Sequence, residues 1–276
     1  VLIGRRYLTE GMSLNWATFN AAFITGPMIA GFLLVAGGAA LTFTAATSTF
    51  IWMLIMLLRI RGEGDAPRGR FYLHGLMPDV ISGITYTLRH PLIPWVIGFH
   101  MILGLLIRPY IELMPGVASV VFEAGEQGMA NLLATSGAGA LVVSVVMLMA
   151  GRERWLMPIL VWTQLISALS LAAFAATDVL WIALVAVFFA GGFTTAAGIA
   201  ASTLVQQSID AAFRGRVVAI SLATNMGGPA LGAFGIGWLA EGIGFQGALM
   251  AAAALSTALM IITGRRVYRA RSVAQE

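Results

Sequence analysis

The 276-residue sequence contains no cysteine, which excludes disulfides, thiolate nucleophiles and cysteine-ligated metals. It has no lysine either: all 16 basic residues are arginine, so a Gly-Lys phosphate loop and a lysine Schiff base are excluded too. Charge of either sign is scarce. Charged residues make up 10% of the chain, against about 25% in soluble domains, while hydrophobic residues make up 59%. Neither H-E-x-x-H nor G-x-S-x-G occurs, and His74 and His90 lie far in sequence from any carboxylate cluster. The sequence therefore predicts no catalytic residue, no metal and no cofactor. The scattered arginines also argue against a nucleic-acid partner, although the isoelectric point is near 10.1.

What the chain does have is long apolar runs, and its mean hydropathy is +0.89. A helix needs about 20 apolar residues to cross the hydrocarbon. Eight runs qualify: Leu14–Val35, Ala39–Leu58, Pro91–Ile111, Met129–Met149, Trp155–Ala175, Leu180–Val205, Val217–Ala240 and Phe245–Thr263. The fold class expected is an all-α integral membrane protein with eight transmembrane helices in a lipid bilayer. Arginines flank these runs on one side only, at 5 and 6, between 59 and 89, at 152 and 154, at 214 and 216, and from 265 to 271. The intervening loops carry only acids among their charges: Glu112, Glu123, Glu126, Asp178 and Glu241. The positive-inside rule then places both termini in the cytoplasm.

The polar stretch at 59–70 reads as a cytoplasmic linker. After it, Val80, Ile81, Ile84 and Leu88 fall on one face of a short amphipathic helix, which either lies along the inner membrane surface or packs on the bundle as a connector. Four segments follow: a helix pair at 1–58, a linker with its amphipathic helix at 59–90, a six-helix bundle at 91–264 and a cytoplasmic tail at 265–276.

A Gly-Pro pair among small residues occurs twice, in "GPMIAGFLL" with Gly26, Pro27 and Gly31, and in "GPALGAFG" with Gly228, Pro229 and Gly232. Proline bends a spanning helix, and glycine lets a neighbouring helix approach. The two pairs stand 202 positions apart, and each precedes a small-residue tract and a further apolar span. Such internal repetition is the signature of transporters built from two halves. A repeat of about 200 residues would hold six spans, which makes the first two runs the last two helices of an earlier half whose first four helices are absent.

Several segments then resemble the major facilitator superfamily, and within it the bacterial efflux branch of enterobactin-exporter-like proteins. "FITGPMIAGFLL" is similar to the Gly-Pro motif of the fifth helix of proton-coupled exporters. "SGITYTLRHPLI" (82–93) is similar to the entry to the seventh helix, and "RPYIELMPGVA" (108–118) to its outer end. "LVQQSIDAAFRGRVVAI" (204–220), with Arg214, Gly215 and Arg216, resembles the cytoplasmic loop before the eleventh. The resemblance implies helices 5–12 of a twelve-helix fold in the bacterial inner membrane. It implies a secondary active exporter that moves a small amphiphilic compound, a drug or siderophore, by alternating access with protons as the coupling ion, that is, efflux by antiport. The alternative is a truncated, non-transporting remnant or scaffold of the same fold.

Residues that could line the pathway or its gate are His100, Arg108, Glu112, Asn131, Gln164 and Asn225. Ionisable groups within a span are costly and mark function by default. Arg108 and Glu112 stand four apart, on one face of a helix, and read either as an extracellular gate or as a static interfacial pair. His100 is placed for proton handling or for a neutral hydrogen bond. No span has an Asp or Glu near its middle, so a coupling carboxylate is expected in the absent helices.

Overall fold

A computed structural model of the protein describes residues 8–59, 76–150, 155–210 and 212–275; side chains before Ala40 are described only in part, and those beyond Gly264 are not. Among the described residues there is no strand. Six helices are long and apolar enough to cross a membrane. An apolar chain has no water to satisfy its peptide groups in lipid, so each crossing closes its own hydrogen bonds as a helix.

Helix α1 runs from Leu8 to Arg59 without interruption. The turn expected between Val35 and Ala39 does not form. A reversal there needs a residue outside helical backbone angles, and among the described glycines only Gly125 and Gly244 take positive φ. Helix α2 (Leu76–Arg89) is the expected amphipathic segment. Its Gly83 and Thr87 are buried, whereas Val80, Ile81, Ile84 and Leu88 are exposed, so the small face meets the bundle and the apolar face is left outside.

The third expected span needs a correction. It divides into α3 (Ile93–Leu106) and α4 (Tyr110–Val120), with Pro109 as the residue before α4. Apolar content alone does not reveal this break, because Ile107 is as hydrophobic as its neighbours. Arg108 lies in the break, and Glu112 lies in the first turn of α4. The two residues therefore do not sit in one uninterrupted helix, although Ile107 and Pro109 keep right-handed helical backbone angles.

Helices α5 (Gly125–Ala150), α6 (Leu156–Ala175) and α7 (Leu180–Ser208) follow as single rods. Helix α8 spans Arg214–Gln275 but leaves helical geometry at Gly244, where φ is 78° and ψ is 164°. The apolar stretch Arg214–Gly264 is 51 residues long. At 1.5 Å per residue that is about 76 Å, more than twice the hydrocarbon thickness of about 30 Å. Gly244 divides α8 into two arms, at the place where the sequence separates Ala240 from Phe245.

Helix α7 is the axis of the bundle, packed against α5 and α6, and it is buried at nearly every position from Ala190 to Ala201. Close approach is achieved with small residues rather than interlocking large ones. A Cβ at Gly139 would strike the Phe188 carbonyl, and one at Gly191 would strike the Ser136 carbonyl. Helix α3 lies against the first arm of α8, and α4 is tied to α5 by a buried hydrogen bond of 2.7 Å between Tyr110 Oη and Ser136 Oγ.

Candidate functional site

Helices α3, α7 and the first arm of α8 enclose a cavity of about 190 Å³. Two of the walls carry polar residues at a spacing of four: Ser202 and Gln206 on α7, Ser221 and Asn225 on α8. Helix α3 supplies His100, and Arg108 reaches in from the α3–α4 break. Thr224 adds a further polar group, and Val96, Ile97, Ala201, Val205, Val218, Leu222 and Met226 complete the lining, so most of the wall is apolar.

Two of the polar groups, Arg108 and His100, approach one oxygen of a third, Asn225. Arg108 Nη1 donates to Asn225 Oδ1 at 2.8 Å. His100 Nε2 lies 3.5 Å from the same oxygen, at the outer limit of a hydrogen bond. Two further buried atoms, His100 Nδ1 and Ser221 Oγ, have no hydrogen-bond partner. An orphaned polar atom in a wall is a group that a ligand or water can satisfy.

The structure brings together three of the six pathway candidates and separates the others. His100, Arg108 and Asn225 line the cavity. Glu112 is exposed on α4, and Asn131 is exposed on α5, where its Oδ1 accepts from Gln127 Nε2 at 3.1 Å. Gln164 is fully buried, and its Nε2 donates to the Phe99 carbonyl of α3 at 2.9 Å, which fastens α6 to α3 outside the cavity. Ser202, Gln206 and Ser221 escaped the sequence reading; their four-residue spacing was the signal that could have found them.

The second Gly-Pro motif borders the cavity. A Cβ on Gly228 would sit 3.5 Å from Gly104 Cα, and one on Gly232 would strike the Leu105 carbonyl. The α3–α8 seam is thus backbone against backbone, one turn from Asn225. Gly26, Pro27 and Gly31 lie in α1, and their side-chain surroundings are outside the described residues.

Residues 1–275 match the family of transmembrane secretion effectors, MFS_3. The chain belongs to this family. It is a multi-pass membrane protein of the major facilitator type, and a transporter. No curated protein and no solved structure matches the chain.

At the arginine-rich end of the transporter, α2 is clasped to the α7–α8 turn. Arg216 Nη2 pairs with Asp79 Oδ1 at 2.6 Å. The Tyr86 ring stacks on Phe213 with centroids 4.3 Å apart, and Tyr86 Oη donates to Asp210 Oδ2 at 3.1 Å. Arg216 also lies over the Phe213 ring, while Arg214 Nη2 is buried without a partner and a Cβ at Gly215 would meet only open space. His90 caps the start of α3: its Nδ1 accepts from the backbone N–H groups of Leu92 and Ile93, at 3.1 and 3.2 Å. Burial holds the His90 pKa below its ordinary value, partly opposed by the Asp210 carboxylate and a hydrogen bond to the Ser208 backbone. Among the described residues no group of His, Asp and Glu is clustered to hold a metal ion.

Proposed function

We propose that the protein is a secondary active exporter that moves a small amphiphilic compound outward by alternating access, in antiport with protons. The observation that carries this reading is the cavity of about 190 Å³, apolar over most of its wall, with Arg108, His100 and Asn225 gathered at one place. Such a chamber suits a ligand with a hydrophobic body and a polar end. The glycine seam beside it supports motion, because helices in contact through backbone can shift without repacking large side chains.

The arms of α8 on either side of Gly244 supply two crossings and α3–α4, α5, α6 and α7 one each; the eight crossings of this reading also require α1 to reverse between Val35 and Ala39, which its continuous helix does not do. In this reading both termini face the cytoplasm of a bacterial inner membrane, as the one-sided arginines argue. Residues 1–58 belong to one helix bundle and 91–264 to another. The linker helix at 76–89 turns its exposed apolar face to the inner leaflet. The transport role needs no enzyme chemistry and no cofactor.

A non-transporting scaffold of the same fold is the second reading. It is favoured by the stretch Ala40–Arg59, none of which is buried within the chain. Proteoliposomes loaded with a fluorescent amphiphile and given an inward proton gradient separate the two. Gradient-dependent loss of the dye supports the exporter; loss no faster than from empty liposomes, by a folded and correctly inserted chain, rejects it.

A further inference from the structure

We propose that the cavity recognises an amphiphilic acid, holding its carboxylate or phosphate oxygens against the Arg108 guanidinium. The inference rests on the exporter reading and narrows its substrate class.

Three observations lead there. First, Arg108 has no counter-charge in the cavity: none of the lining residues is Asp or Glu. Glu112, exposed in the first turn of α4, acts on the guanidinium through its charge but forms no ion pair with it; the one ion pair among the described residues, Arg216 with Asp79, lies at the far end of α8's first arm. The guanidinium has five N–H donors, and the partner it finds is the neutral Asn225 oxygen. A buried cation hydrogen-bonded only to a carboxamide, with its nearest carboxylate held out of contact, is poorly compensated for its lost hydration. An oxyanion restores the balance and fits the planar donor fork in two parallel hydrogen bonds. Second, Ser221 Oγ is buried, unpartnered and in the same wall, so a further donor stands ready for the anion. Third, Val96, Ile97, Leu222 and Met226 give the rest of the ligand an apolar bed. A cationic amphiphile of the same shape would meet repulsion from Arg108 in a low dielectric.

The same charge logic applies to a soluble acid and to an anionic lipid head group, and the test separates them. The purified full chain in phosphatidylcholine nanodiscs is titrated with 4-phenylbutyrate, 4-phenylbutanol and 4-phenylbutylamine, which share one tail and carry opposite or no charge. Binding is read by tryptophan fluorescence. The acid is expected to bind at least about tenfold more tightly than the alcohol, and the amine more weakly still. Arg108→Gln should abolish the preference and Arg108→Lys should keep part of it. Asn225→Asp keeps Arg108 but puts a carboxylate in the anion's place, and should abolish acid binding in a chain that elutes as the wild type does. Equal binding of all three probes, or tightest binding of the amine, overturns the proposal; so does unchanged acid affinity in folded Arg108→Gln and Asn225→Asp chains. Displacement by added phosphatidylglycerol assigns the site to a lipid head group, and its absence assigns it to a soluble acid. Flux in proteoliposomes keeps the two readings apart. An acid that binds but is not moved sinks the exporter and leaves the site. Alcohol and amine moved as fast as the acid sink the site and leave the exporter.

Discussion

Arg108 and Asn225, 117 residues apart, meet through a 2.8 Å hydrogen bond between the α3–α4 break and the first arm of α8. The contact joins the two helices at the edge of the cavity. Sequence spacing suggested Glu112 as the partner, but α3 ends at Leu106 and Glu112 belongs to the first turn of α4, and the hydrogen bond that Arg108 makes is to Asn225.

The energetic coupling of Arg108 should follow the structure rather than the spacing. A double-mutant cycle of Arg108→Gln with Asn225→Ala is expected to give about 1–2 kcal/mol of interaction energy. The same cycle with Glu112→Gln should give less than about 0.5 kcal/mol, as for exposed partners. Thermal unfolding in detergent reads both, and a larger value for Glu112 would restore the gate pair.

The glycine seam should be intolerant at defined positions. Gly232→Ala forces a methyl into the Leu105 carbonyl and the Pro109 ring, whereas Gly235→Ala meets nothing within 4 Å. The first is expected to cost about 1–3 kcal/mol by overpacking and the second almost nothing. Gly228→Leu should likewise reduce the yield of folded protein more than Asn225→Ala. Size-exclusion profiles and melting temperatures decide both comparisons.

Stability should fall in mild acid through His90. Its pKa is lowered in the folded state, so the unfolded chain binds the proton more readily. The contribution of neutral His90 is complete above the ordinary value of 6.5 and is lost as pH falls below it, when Nδ1 can no longer accept from Leu92 and Ile93. His90→Asn keeps a capping acceptor without a titration. Its melting temperature should change less between pH 7.5 and 5.5 than that of the wild type; equal changes would assign the acid sensitivity elsewhere.

The clasp between α2 and α8 should matter for motion more than for stability. Asp79 and Arg216 are 57% and 38% exposed, so Asp79→Asn should cost under about 1 kcal/mol. Because the chain has no cysteine, a double substitution Asp79→Cys with Arg216→Cys introduces its only thiols. Oxidative cross-linking is expected to stop efflux and a reductant to restore it. Unchanged flux in the cross-linked protein would show that this end need not open.

The apolar rods were legible because lipid allows so few solutions: a run such as Leu180–Val205 could hardly be anything but a helix. The division at Gly244 was legible too, since glycine clusters where the apolar pattern lapses. The break at Ile107–Pro109 was not, because Pro94 and Pro115 sit inside helical segments and composition does not say which proline ends one. In the same way the gap between the runs ending at Val35 and beginning at Ala39 suggested a turn that α1 does not take. The cavity was half legible. His100, Arg108 and Asn225 stood out as polar groups in apolar runs, but their meeting depends on how α3 crosses α8. A local pattern could suggest only Glu112 as the neighbour of Arg108.

The Gly104–Gly228 contact lies one helical turn from His100 on one side and one turn from Arg108 on the other, and just beyond Asn225 on α8. That position makes it a fulcrum. A tilt of α8 about this point moves Asn225, close to the pivot, through a short path beside Arg108, and carries Arg216 and the α2 clasp, farther out on the same arm, through a wider arc. Asn225 and Arg216 lie on the same side of that pivot, so loosening the Arg108–Asn225 bond and parting the clasp would be the near and far parts of one swing, and whatever displaces the Asn225 oxygen from the guanidinium pushes on the arm close to its pivot.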